Sequence, residues 1–368
     1  MDVYEELGVR AFINAAGAAY TRYGGSIMPE EVVAAMAAAS RRFVNLFELQ
    51  ERMGEAIARM THNEAAFVSC GAASGIVLSV AACIAGTDAA LAERLPETAG
   101  LRNEVVMQRC ARGTEADPAI RAAGGRIVHV GEAERAAGAA ELLGAVTEKT
   151  AAIVLLAEED ARNAEAIVRG ARERGVAVLI DGACAVPPKE NLWRYTRELG
   201  ADAFITSGGK GIRGPQASGL VAGSRRIIEG CQFHASPNLR VGRGMKVGKE
   251  EFAGLYAALK LCLAEDRAAV EAERRAAAER IAESLRGIAG IWVRVKGEEV
   301  RVDFEGAREG IAEMVVKRLL EGEPAILAAG RGVRVRVRTW LLEAGEERVV
   351  AERLAGELRR AVEESRGG

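Results

Sequence analysis

Five short runs of β-branched and other apolar residues recur through the middle of this 368-residue chain, and helical patterns separate them. The runs occupy residues 103–109, 125–131, 151–158, 176–183 and 203–207, and the helical patterns lie at 116–123, 133–146, 162–174 and 190–199. Strands that alternate with helices of this length form βαβ units around a parallel sheet that is buried on both faces. The pattern therefore predicts an α/β fold with a mostly parallel sheet.

One strand of this sheet is predicted to run in the opposite direction. The run "SGLVAG" (218–223) follows "AFITS" (203–207) with no helical pattern between them. Two strands joined by a loop alone can be antiparallel neighbours, whereas a parallel pair needs a long crossover connection. We therefore expect one antiparallel strand in the mostly parallel sheet.

The last third of the chain has a different pattern, which predicts a smaller α+β domain. A long helical pattern comes first, and it is followed by strand, helix, strand and helix patterns at 291–304, 308–321, 332–341 and 343–361. Within them, "VRVRVR" (333–338) alternates strictly, which is typical of a strand with one buried and one solvated face. Its arginines are therefore interpreted as a solvated face and not as a stripe that binds nucleic acid.

These patterns divide the chain into three predicted parts. They are an N-terminal arm and helix at residues 1–50, a large domain at 51–248 and a small C-terminal domain at 249–368. A chain of this length is too long for one typical domain, which supports the division into a large and a small domain.

Composition argues against several classes of protein. The formal net charge of -2 gives no indication of a nucleic-acid binder. The longest apolar stretch, residues 76–85, is too short to span a bilayer, and the N-terminus has no apolar signal core. The six cysteines form no CxxC pair and suggest no disulfide framework, so we expect a cytoplasmic protein with no metal site.

The segment "AFITSGGKGIRGPQASGLVAG" (203–223) sets one lysine, Lys210, in a glycine-rich loop between two strands. A nucleotide-binding P-loop needs Ser or Thr after the lysine and then a helix, whereas glycine follows Lys210 and a strand comes next. A glycine-rich turn with a solvated lysine is the simplest alternative. The third interpretation is a lysine that forms a Schiff base with pyridoxal phosphate, since glycines let a backbone approach a cofactor closely.

Two further parts that pyridoxal phosphate requires have candidates in the sequence. Asp181 ends a buried strand and is suited to pair with the pyridinium nitrogen, although it could also cap a helix or bind a metal. Residues 71–74 stand between a strand and a helix, where free N–H groups form an anion site for the phosphate, although Ser74 could merely cap that helix. Ser207, three residues before Lys210, adds a hydroxyl. The three parts in this order predict a pyridoxal-phosphate site.

Several motifs within residues 1–260 occur together in one known family. They are "FINAAGAAYTRYGGS" (12–26), "VSCGAASG" (68–75), "LPETAGLRNEVVMQR" (95–109), "AIRAAGGRIVHVG" (119–131), "LIDGACAVPP" (179–188), "TSGGKGIRGPQASGLVAG" (206–223) and "GRGMKVGKEEFAGLYAAL" (242–259). With them the chain resembles fold-type I pyridoxal-phosphate enzymes of the selenocysteine synthase-like group, and within that group the D-glucosaminate-6-phosphate ammonia-lyase-like proteins. The resemblance implies the fold-type I transferase-like fold and pyridoxal 5′-phosphate as cofactor.

The resemblance also implies roles for individual residues. Lys210 would hold the cofactor and Asp181 would pair with its ring nitrogen. The residues at the phosphate would be Gly71, Ala72 and Ser74, with Ser207 and Gln216 nearby.

One position departs from the pattern of the family. Close relatives are expected to have Gln-x-Gly-His-Arg near residue 108, and Cys110 and Ala111 stand here in place of the Gly and the His. A histidine that stacks on the ring or moves protons would therefore be missing. Cys110 is interpreted either as a buried thiol or as a residue of the site.

The residues that bind the substrate are less well defined by the sequence. A planar guanidinium binds a carboxylate through two hydrogen bonds, so we expect an arginine at the carboxylate of the substrate. The cationic or ionisable candidates are His234, Arg240, Arg243 and Arg338. Active sites of this fold are commonly completed by a second subunit, so the resemblance implies a homodimer or a larger homo-oligomer, with segments 12–26 and 232–246 at the interface.

The predicted activity is that of a pyridoxal-phosphate-dependent lyase acting at the Cα of an amino acid or amino-sugar acid. Lys210 would remove the Cα proton, and α,β-elimination would release ammonia and a keto acid. Racemisation and retro-aldol cleavage use the same residues and stay open. Selenium transfer to an aminoacyl-tRNA is a further alternative, against which the net charge argues. A non-catalytic cofactor-binding relative is the last, and the changed residues at 110–111 keep it open.

Overall fold

The computed structural model describes residues 3–111, 116–157, 163–306 and 308–366. The predicted strand end at 158 and the predicted helix start at 162 lie outside these ranges, whereas the changed positions 110 and 111 lie within them. The chain divides into two compact units, one of residues Thr21–Ala264 and the other of Met1–Tyr20 together with Glu265–Gly368. The predicted domain boundaries at residues 50 and 248 stay predictions.

The strands are short, as expected for an α/β protein. In chain order they are β1 Ile13–Asn14, β2 Ala65–Ser69, β3 Glu104–Gln108, β4 Arg126–Val130, β5 Thr150–Leu156, β6 Ala177–Asp181, β7 Ala203–Ser207, β8 Gly219–Gly223, β9 Ile291–Lys296, β10 Glu299–Phe304, β11 Ile326–Leu327, β12 Ala329–Arg331 and β13 Arg334–Arg338.

Helices separate most of these strands. In chain order they are α1 Val3–Glu6, α2 Glu30–Ser40, α3 Leu46–Met60, α4 Ala72–Ala85, α5 Ala89–Arg94, α6 Ala116–Ala122, α7 Ala139–Gly144, α8 Ala164–Glu173, α9 Asn191–Trp193, α10 Arg225–His234, α11 Lys249–Ala264, α12 Arg267–Leu285, α13 Ile311–Glu321 and α14 Glu346–Arg366. Single turns of 3₁₀-helix lie at Thr21–Tyr23 and Arg109–Ala111, and a π-helical turn lies at Arg194–Glu198.

The large unit is built around a seven-stranded sheet with the strand order β2-β8-β7-β6-β5-β3-β4. β8 is antiparallel to both of its neighbours, β2 and β7. The pairs β7–β6, β6–β5, β5–β3 and β3–β4 are parallel. The prediction of a mostly parallel sheet with one antiparallel strand is therefore confirmed, and β8 is the strand that the sequence indicated.

Burial on both faces explains why the central strands appear as continuous apolar runs. In β5, Ile153 and Leu155 belong to one core cluster, whereas Val154 between them belongs to a second cluster. Alternate side chains of a strand point to opposite faces, so the two clusters lie on the two sides of the sheet. Helix α4 packs into the second cluster through Ile76 and Val80, which fixes the helix that begins beside the end of β2.

The second unit contains a four-stranded antiparallel sheet with the order β12-β13-β10-β9. Along β13, Val335 and Val337 are buried and the arginines between and beside them are exposed, as the alternation predicted. The valines pack against helices α12, α13 and α14, with Leu354 and Leu358 among their neighbours in the core. This sheet confirms the smaller antiparallel part of the predicted fold.

Two features of the structure were not predicted. The N-terminal strand β1 pairs in parallel with β11, with Ile13 opposite Ile326, so the start of the chain contributes to the C-terminal unit. The long helical pattern after residue 249 is two helices, because Asp266 begins α12 and its carboxylate accepts the N–H groups of Ala268 and Ala269.

Of the helices among the described residues, none is both long enough and apolar enough to cross a membrane.

Candidate functional site

Three segments of the large unit meet at the carboxyl edge of its sheet. Ser69, Gly219 and Ser207 are register partners in one row across β2, β8 and β7. Asp181 ends the next strand, β6, opposite Ile205 of β7. The carboxyl ends of parallel strands are where open α/β sheets bind ligands. The sheet therefore gathers the start of α4 and the loops after β6 and β7 into one candidate site.

Lys210 lies in the loop after β7, residues 208–218, which we call the lysine loop. A residue from the start of the large unit holds the backbone of this loop. The N–H of Ser26 donates to the carbonyl of Gly209 at 3.0 Å, and its hydroxyl donates to the carbonyl of Lys210 at 2.8 Å. The N–H of Arg213 donates to the same Lys210 carbonyl at 3.0 Å. The peptide that carries the lysine is thus fixed from two sides. Ser26 was not among the predicted site residues, although it is the last residue of a family motif.

Close packing of backbones explains the glycines around Lys210. A Cβ at Gly211 would overlap the carbonyl oxygen of Val186, which belongs to the segment after β6. A Cβ at Gly208 would overlap the hydroxyl of Ser218 and lie 2.8 Å from Leu255. Only glycine lets the loops after β6 and β7 touch in this way. The glycine-rich sequence therefore brings the lysine loop against the segment that follows Asp181.

The side chain of Lys210 contacts this same segment. Its Nζ donates to Sγ of Cys184 at 3.2 Å. Asp181 lies three residues earlier, and its Oδ1 accepts the N–H of Ala183 at 3.1 Å. The amine and the carboxylate therefore border one short stretch, residues 181–184. Cys184 was not predicted, since nothing in the sequence around it distinguishes it from the other cysteines.

The start of α4 is the third part of the site. Gly71 precedes the helix with φ of 131°, a conformation that side chains rarely adopt. Its carbonyl accepts the hydroxyl of Ser74 at 2.8 Å and the N–H of Gly75 at 3.1 Å. The first N–H groups of a helix have no acceptor within it, so those of Ala72 to Ser74 are available to an anion. β8 passes close by, since a Cβ at Gly219 would lie 2.6 Å from the carbonyl carbon of Gly71.

Gln216 closes the far end of the lysine loop. Its side chain packs against the backbone of Gly25 and Gly209. A Cβ at either position would overlap Oε1 of Gln216, so both positions require glycine. This Oε1 is buried and has no hydrogen-bond donor among the described residues. Buried polar atoms are rarely left unsatisfied. The helix N–H groups, the lysine amine and the aspartate together fit a ligand that carries a phosphate, an aldehyde and a pyridine nitrogen. The unpaired oxygen can accept a hydrogen bond from a hydroxyl of such a ligand.

Two of the predicted substrate residues have structural contacts. His234 is fully buried, and its Nε2 lies 2.9 Å from the carbonyl of Gly86, to which a protonated Nε2 donates. Burial lowers the pKa of His234 below its ordinary value, because it disfavours the charged ring. Arg240 places its guanidinium 3.7 Å from the ring centre of Phe233. Both residues thus contribute to the fold at the end of α10, and their substrate contacts stay a prediction.

The other two predicted substrate residues lie in different units. Arg243 lines a cavity of about 570 Å³ in the large unit together with Ser69 and Lys246. Ser69 ends β2, two residues before Gly71, so this cavity adjoins the segment that leads into α4. Arg338 lies on β13 in the C-terminal unit, where its Nε donates to Glu299 at 2.7 Å. Contact of Arg243 and Arg338 with the substrate stays a prediction.

The changed position at residues 110–111 lies at the carboxyl end of β3, on the same edge of the sheet. Sγ of Cys110 donates to Oε1 of Gln108 at 3.3 Å, and the same oxygen accepts the N–H of Ala137 at 2.6 Å. Ala111 is buried. The residues that replace the expected Gly and His are thus part of a packed turn after β3.

Comparison with known proteins agrees with this geometry. No family model matches the chain. The chain is 32% identical over 343 residues to a D-glucosaminate-6-phosphate ammonia lyase of Salmonella typhimurium, with 89% of each chain covered. It is also 32% identical over 338 residues to a 5′-C-glycyluridine monooxygenase-decarboxylase of a Streptomyces species, with 89% of this chain and 79% of that protein covered.

Solved structures lead to the same class of protein. A D-glucosaminate-6-phosphate ammonia-lyase structure matches with a TM-score of 0.85 and 28% identity over 98% of this chain and 99% of that chain. A serine palmitoyltransferase with pyridoxal phosphate shares the fold, with a TM-score of 0.59 and 14% identity over 92% of this chain and 86% of that chain. The fold and the site therefore define a fold-type I, pyridoxal-phosphate-dependent enzyme of the lyase class. Within that class, the chain belongs to the family of D-glucosaminate-6-phosphate ammonia lyase.

Proposed function

We propose that this enzyme removes ammonia from a 2-amino-3-hydroxy acid, either an amino-sugar acid or a β-hydroxy amino acid, by α,β-elimination. The observation that carries the proposal is that the Lys210 amine contacts Cys184, three residues after Asp181. Both lie at the edge of the sheet where α4 begins. The relative from Salmonella typhimurium is named for ammonia release from D-glucosaminate 6-phosphate, which supports an amino-sugar acid as the substrate class.

Pyridoxal phosphate, when bound, withdraws electrons from the Cα of an amino acid and so makes its Cα proton removable. The residues that would hold it are Lys210 and Asp181 at the aldehyde and ring nitrogen, Gly71, Ala72 and Ser74 at the phosphate, and Ser207 and Gln216 beside them. Asp181 would keep the ring nitrogen protonated, because a carboxylate favours the charged form of a neighbouring base.

Lys210 is the proposed base. Once the amine of the substrate has released Nζ from the cofactor, Nζ would take the Cα proton of the substrate. The free amine contacts Sγ of Cys184 in this structure, which places it beside residues 181–184. The β-hydroxyl leaves as water, and one water is taken up later when the released imine is hydrolysed. The net products are therefore ammonium and a 3-deoxy-2-keto acid. His234, Arg240, Arg243 and Arg338 stay candidates for contact with the carboxylate or phosphate of the substrate.

The direct test is product analysis with a panel of substrates. Purified holoenzyme is incubated with D- and L-serine, D- and L-threonine, and D-glucosaminate with and without its 6-phosphate, and ammonia and keto acid are measured. We expect both products with at least one substrate, no product with Lys210→Ala, and full activity with the control Lys317→Ala on the other unit. Exchange of the Cα proton without ammonia would show a racemase, and glycine plus an aldehyde would show an aldolase.

A second candidate is removal of the carboxylate from Cα. It is favoured by the relative from Streptomyces, which is named a monooxygenase-decarboxylase and has the same 32% identity to this chain as the ammonia lyase. The same panel distinguishes the two functions when carbon dioxide release and oxygen consumption are followed beside ammonia. Oxygen-dependent carbon dioxide release without keto acid would replace the elimination by this second function.

We also propose that the enzyme is a homodimer or a larger homo-oligomer. Large apolar side chains are exposed on the large unit, among them Phe43 (104% exposed), Phe47 and Leu239. Exposed apolar groups of this kind mark interaction surfaces. Leu239 lies within segment 232–246, which was predicted to lie at the interface. Light scattering of active protein should give at least twice the mass of one chain, and an active monomer would contradict the proposal. A cytoplasmic location stays a prediction.

A further inference from the structure

One face of the C-terminal sheet is dominated by arginine. Its exposed or half-buried residues include Arg294 on β9, Arg301 on β10, Arg331 on β12, and Arg334 and Arg336 on β13. Four of these, Arg301, Arg331, Arg334 and Arg336, line a cavity of about 370 Å³. We call these four residues the arginine face. The sequence showed a strand with alternating arginines, but it did not show that other strands bring further arginines beside it.

The register of the sheet sets like charges directly opposite each other. Arg301 is the partner of Arg336 across β10 and β13, and Arg331 is the partner of Arg334 across β12 and β13. Directly opposite residues in an antiparallel pair have their Cβ atoms roughly 5 Å apart, and like charges at that separation destabilise the sheet. Two such pairs side by side therefore oppose folding unless something neutralises them.

Carboxylates neutralise only part of this charge. Asp303 accepts hydrogen bonds from Arg334 at 2.6 Å and from Arg294 at 2.8 Å. Glu299 pairs with Arg301 and with Arg338.

Among the ion pairs that the described residues form, none includes the remaining two guanidinium groups of the arginine face. Within the described part of the chain, no carboxylate forms an ion pair with Arg331 or Arg336. Glu313, the acidic residue that Arg331 influences, uses its carboxylate to accept the N–H of Gly332 at 2.9 Å. Two of the four guanidinium groups of the arginine face therefore have no ion pair with a carboxylate among the described residues, and they can pair with an anion from outside the chain.

We propose that the arginine face binds a compact polyphosphate group, as in tripolyphosphate or the triphosphate of a nucleotide. A guanidinium binds phosphate through two parallel hydrogen bonds. This geometry matches phosphate better than the single charged ammonium of a lysine does. Several guanidinium groups around one small cavity match a ligand with several phosphates. A cavity of this volume has the size of a small-molecule site.

The shape of the charged area favours a small ligand over a nucleic acid. Neighbouring strands are about 4.8 Å apart and alternate residues about 6.8 Å apart, so the four Cα atoms span roughly 10 by 7 Å. Along β10, Glu299 and Asp303 stand on either side of Arg301 and interrupt the positive charge. A nucleic acid needs a longer track of cations along its backbone. The arginine face is instead a bounded patch.

Calorimetric titration of the holoenzyme tests the proposal, because bound cofactor then occupies the phosphate site of the large unit. We expect tripolyphosphate to bind once per chain and at least tenfold more tightly than orthophosphate. ATP should bind and adenosine should not, which separates recognition of phosphate from recognition of the base. Raising the salt concentration should weaken binding.

The variant R334Q/R336Q should weaken tripolyphosphate binding at least tenfold, whereas Arg169→Gln on α8 of the large unit should leave it unchanged. Arg336→Lys keeps the charge but loses the paired hydrogen bonds, so it should weaken binding by a smaller factor. Circular dichroism confirms that each variant is folded. Equal binding by the double variant and the wild type would overturn the proposal, as would equal affinity for orthophosphate and tripolyphosphate. Binding of single-stranded RNA without binding of tripolyphosphate would also overturn it.

Discussion

The lysine loop of the large unit, residues 208–218, and the arginine face of the C-terminal unit are each rich in one residue type, but for opposite physical reasons. The loop contains glycine because its backbone touches the carbonyl of Val186 and the side chain of Ser218, where a Cβ does not fit. The face contains arginine although its members repel one another across the strands. Tight packing therefore constrains the loop, whereas unneutralised charge characterises the face. Substitutions should act through sterics in the first region and through charge and salt in the second.

The largest effect is expected at Asp181, which ends β6 beside the lysine loop and acts through its charge and not through sterics. Asp181→Asn keeps the size of the side chain but removes the charge that would hold the ring nitrogen protonated. Turnover should fall by roughly 100-fold or more, while pyridoxal phosphate still binds. Steady-state ammonia release and cofactor absorbance measure the two effects separately.

Asp88→Asn is the matched control, because asparagine caps a helix as well as aspartate does and α5 should be retained. Wild-type turnover in Asp181→Asn would show that another group holds the nitrogen.

A smaller loss is expected when the close packing of the lysine loop is disturbed. Gly211→Ala introduces a Cβ that overlaps the carbonyl of Val186, so the two loops must separate. Overpacking of this kind destabilises by roughly 1–3 kcal/mol, and cofactor affinity should fall with it. Gly144→Ala is the control, since a Cβ there meets nothing within 4 Å. Thermal unfolding and cofactor titration report the outcome, and equal behaviour of the two variants would contradict the packing argument.

The arginine face should respond to acid through Asp303. Burial alone would raise the pKa of this carboxyl, but hydrogen bonds from Arg294 and Arg334 outweigh it and hold the pKa below 3.8. A carboxylate with a lowered pKa stabilises the fold above its unfolded pKa, and this contribution is lost as the pH falls through the folded pKa.

Asp303→Asn should therefore lower the free energy of unfolding by about 1 kcal/mol at pH 7, a modest figure because both arginines are half exposed or more. The difference from wild type should shrink as the pH falls below 4. Urea unfolding at several pH values measures it, and a constant difference would refute the charge pairing.

The smallest effect is expected for Arg336→Gln without added anion. Removing one charge of the Arg301–Arg336 pair should stabilise the protein by roughly 0.2–1 kcal/mol at low salt. The gain should vanish at 1 M salt, where the screening length is about 3 Å. Arg169→Gln again serves as the control, and unfolding midpoints at the two salt concentrations are compared. Destabilisation by Arg336→Gln at low salt would mean that the repulsion is already neutralised within the chain.

The two regions also differ in how much of them the sequence predicts. The sequence predicted Lys210, Asp181 and the start of α4. Each lies in a short segment in which a strand, turn residues and a functional side chain follow one another directly in the sequence. The central strands were predicted because burial on both faces leaves an uninterrupted apolar run. The antiparallel β8 followed from the lack of a helix before it.

What escaped prediction depends on contacts between distant segments. Ser26 holds the Lys210 carbonyl across 184 positions of sequence, and the pairing of Arg301 with Arg336 exists only once the register of β10 and β13 is set. A register cannot be deduced from either strand alone, because each shows the same alternation at every even shift. Cys184 was missed because a thiol three residues behind an aspartate forms no recognised motif.

The most direct test of the site is to locate the lysine that carries the cofactor. Holoenzyme is reduced with borohydride, digested, and mapped by mass spectrometry for the pyridoxyl group. We predict a single labelled peptide that contains Lys210, a yellow wild-type protein, and a Lys210→Ala variant without the imine absorbance. A label on Lys189 or Lys246 instead of Lys210 would contradict the account.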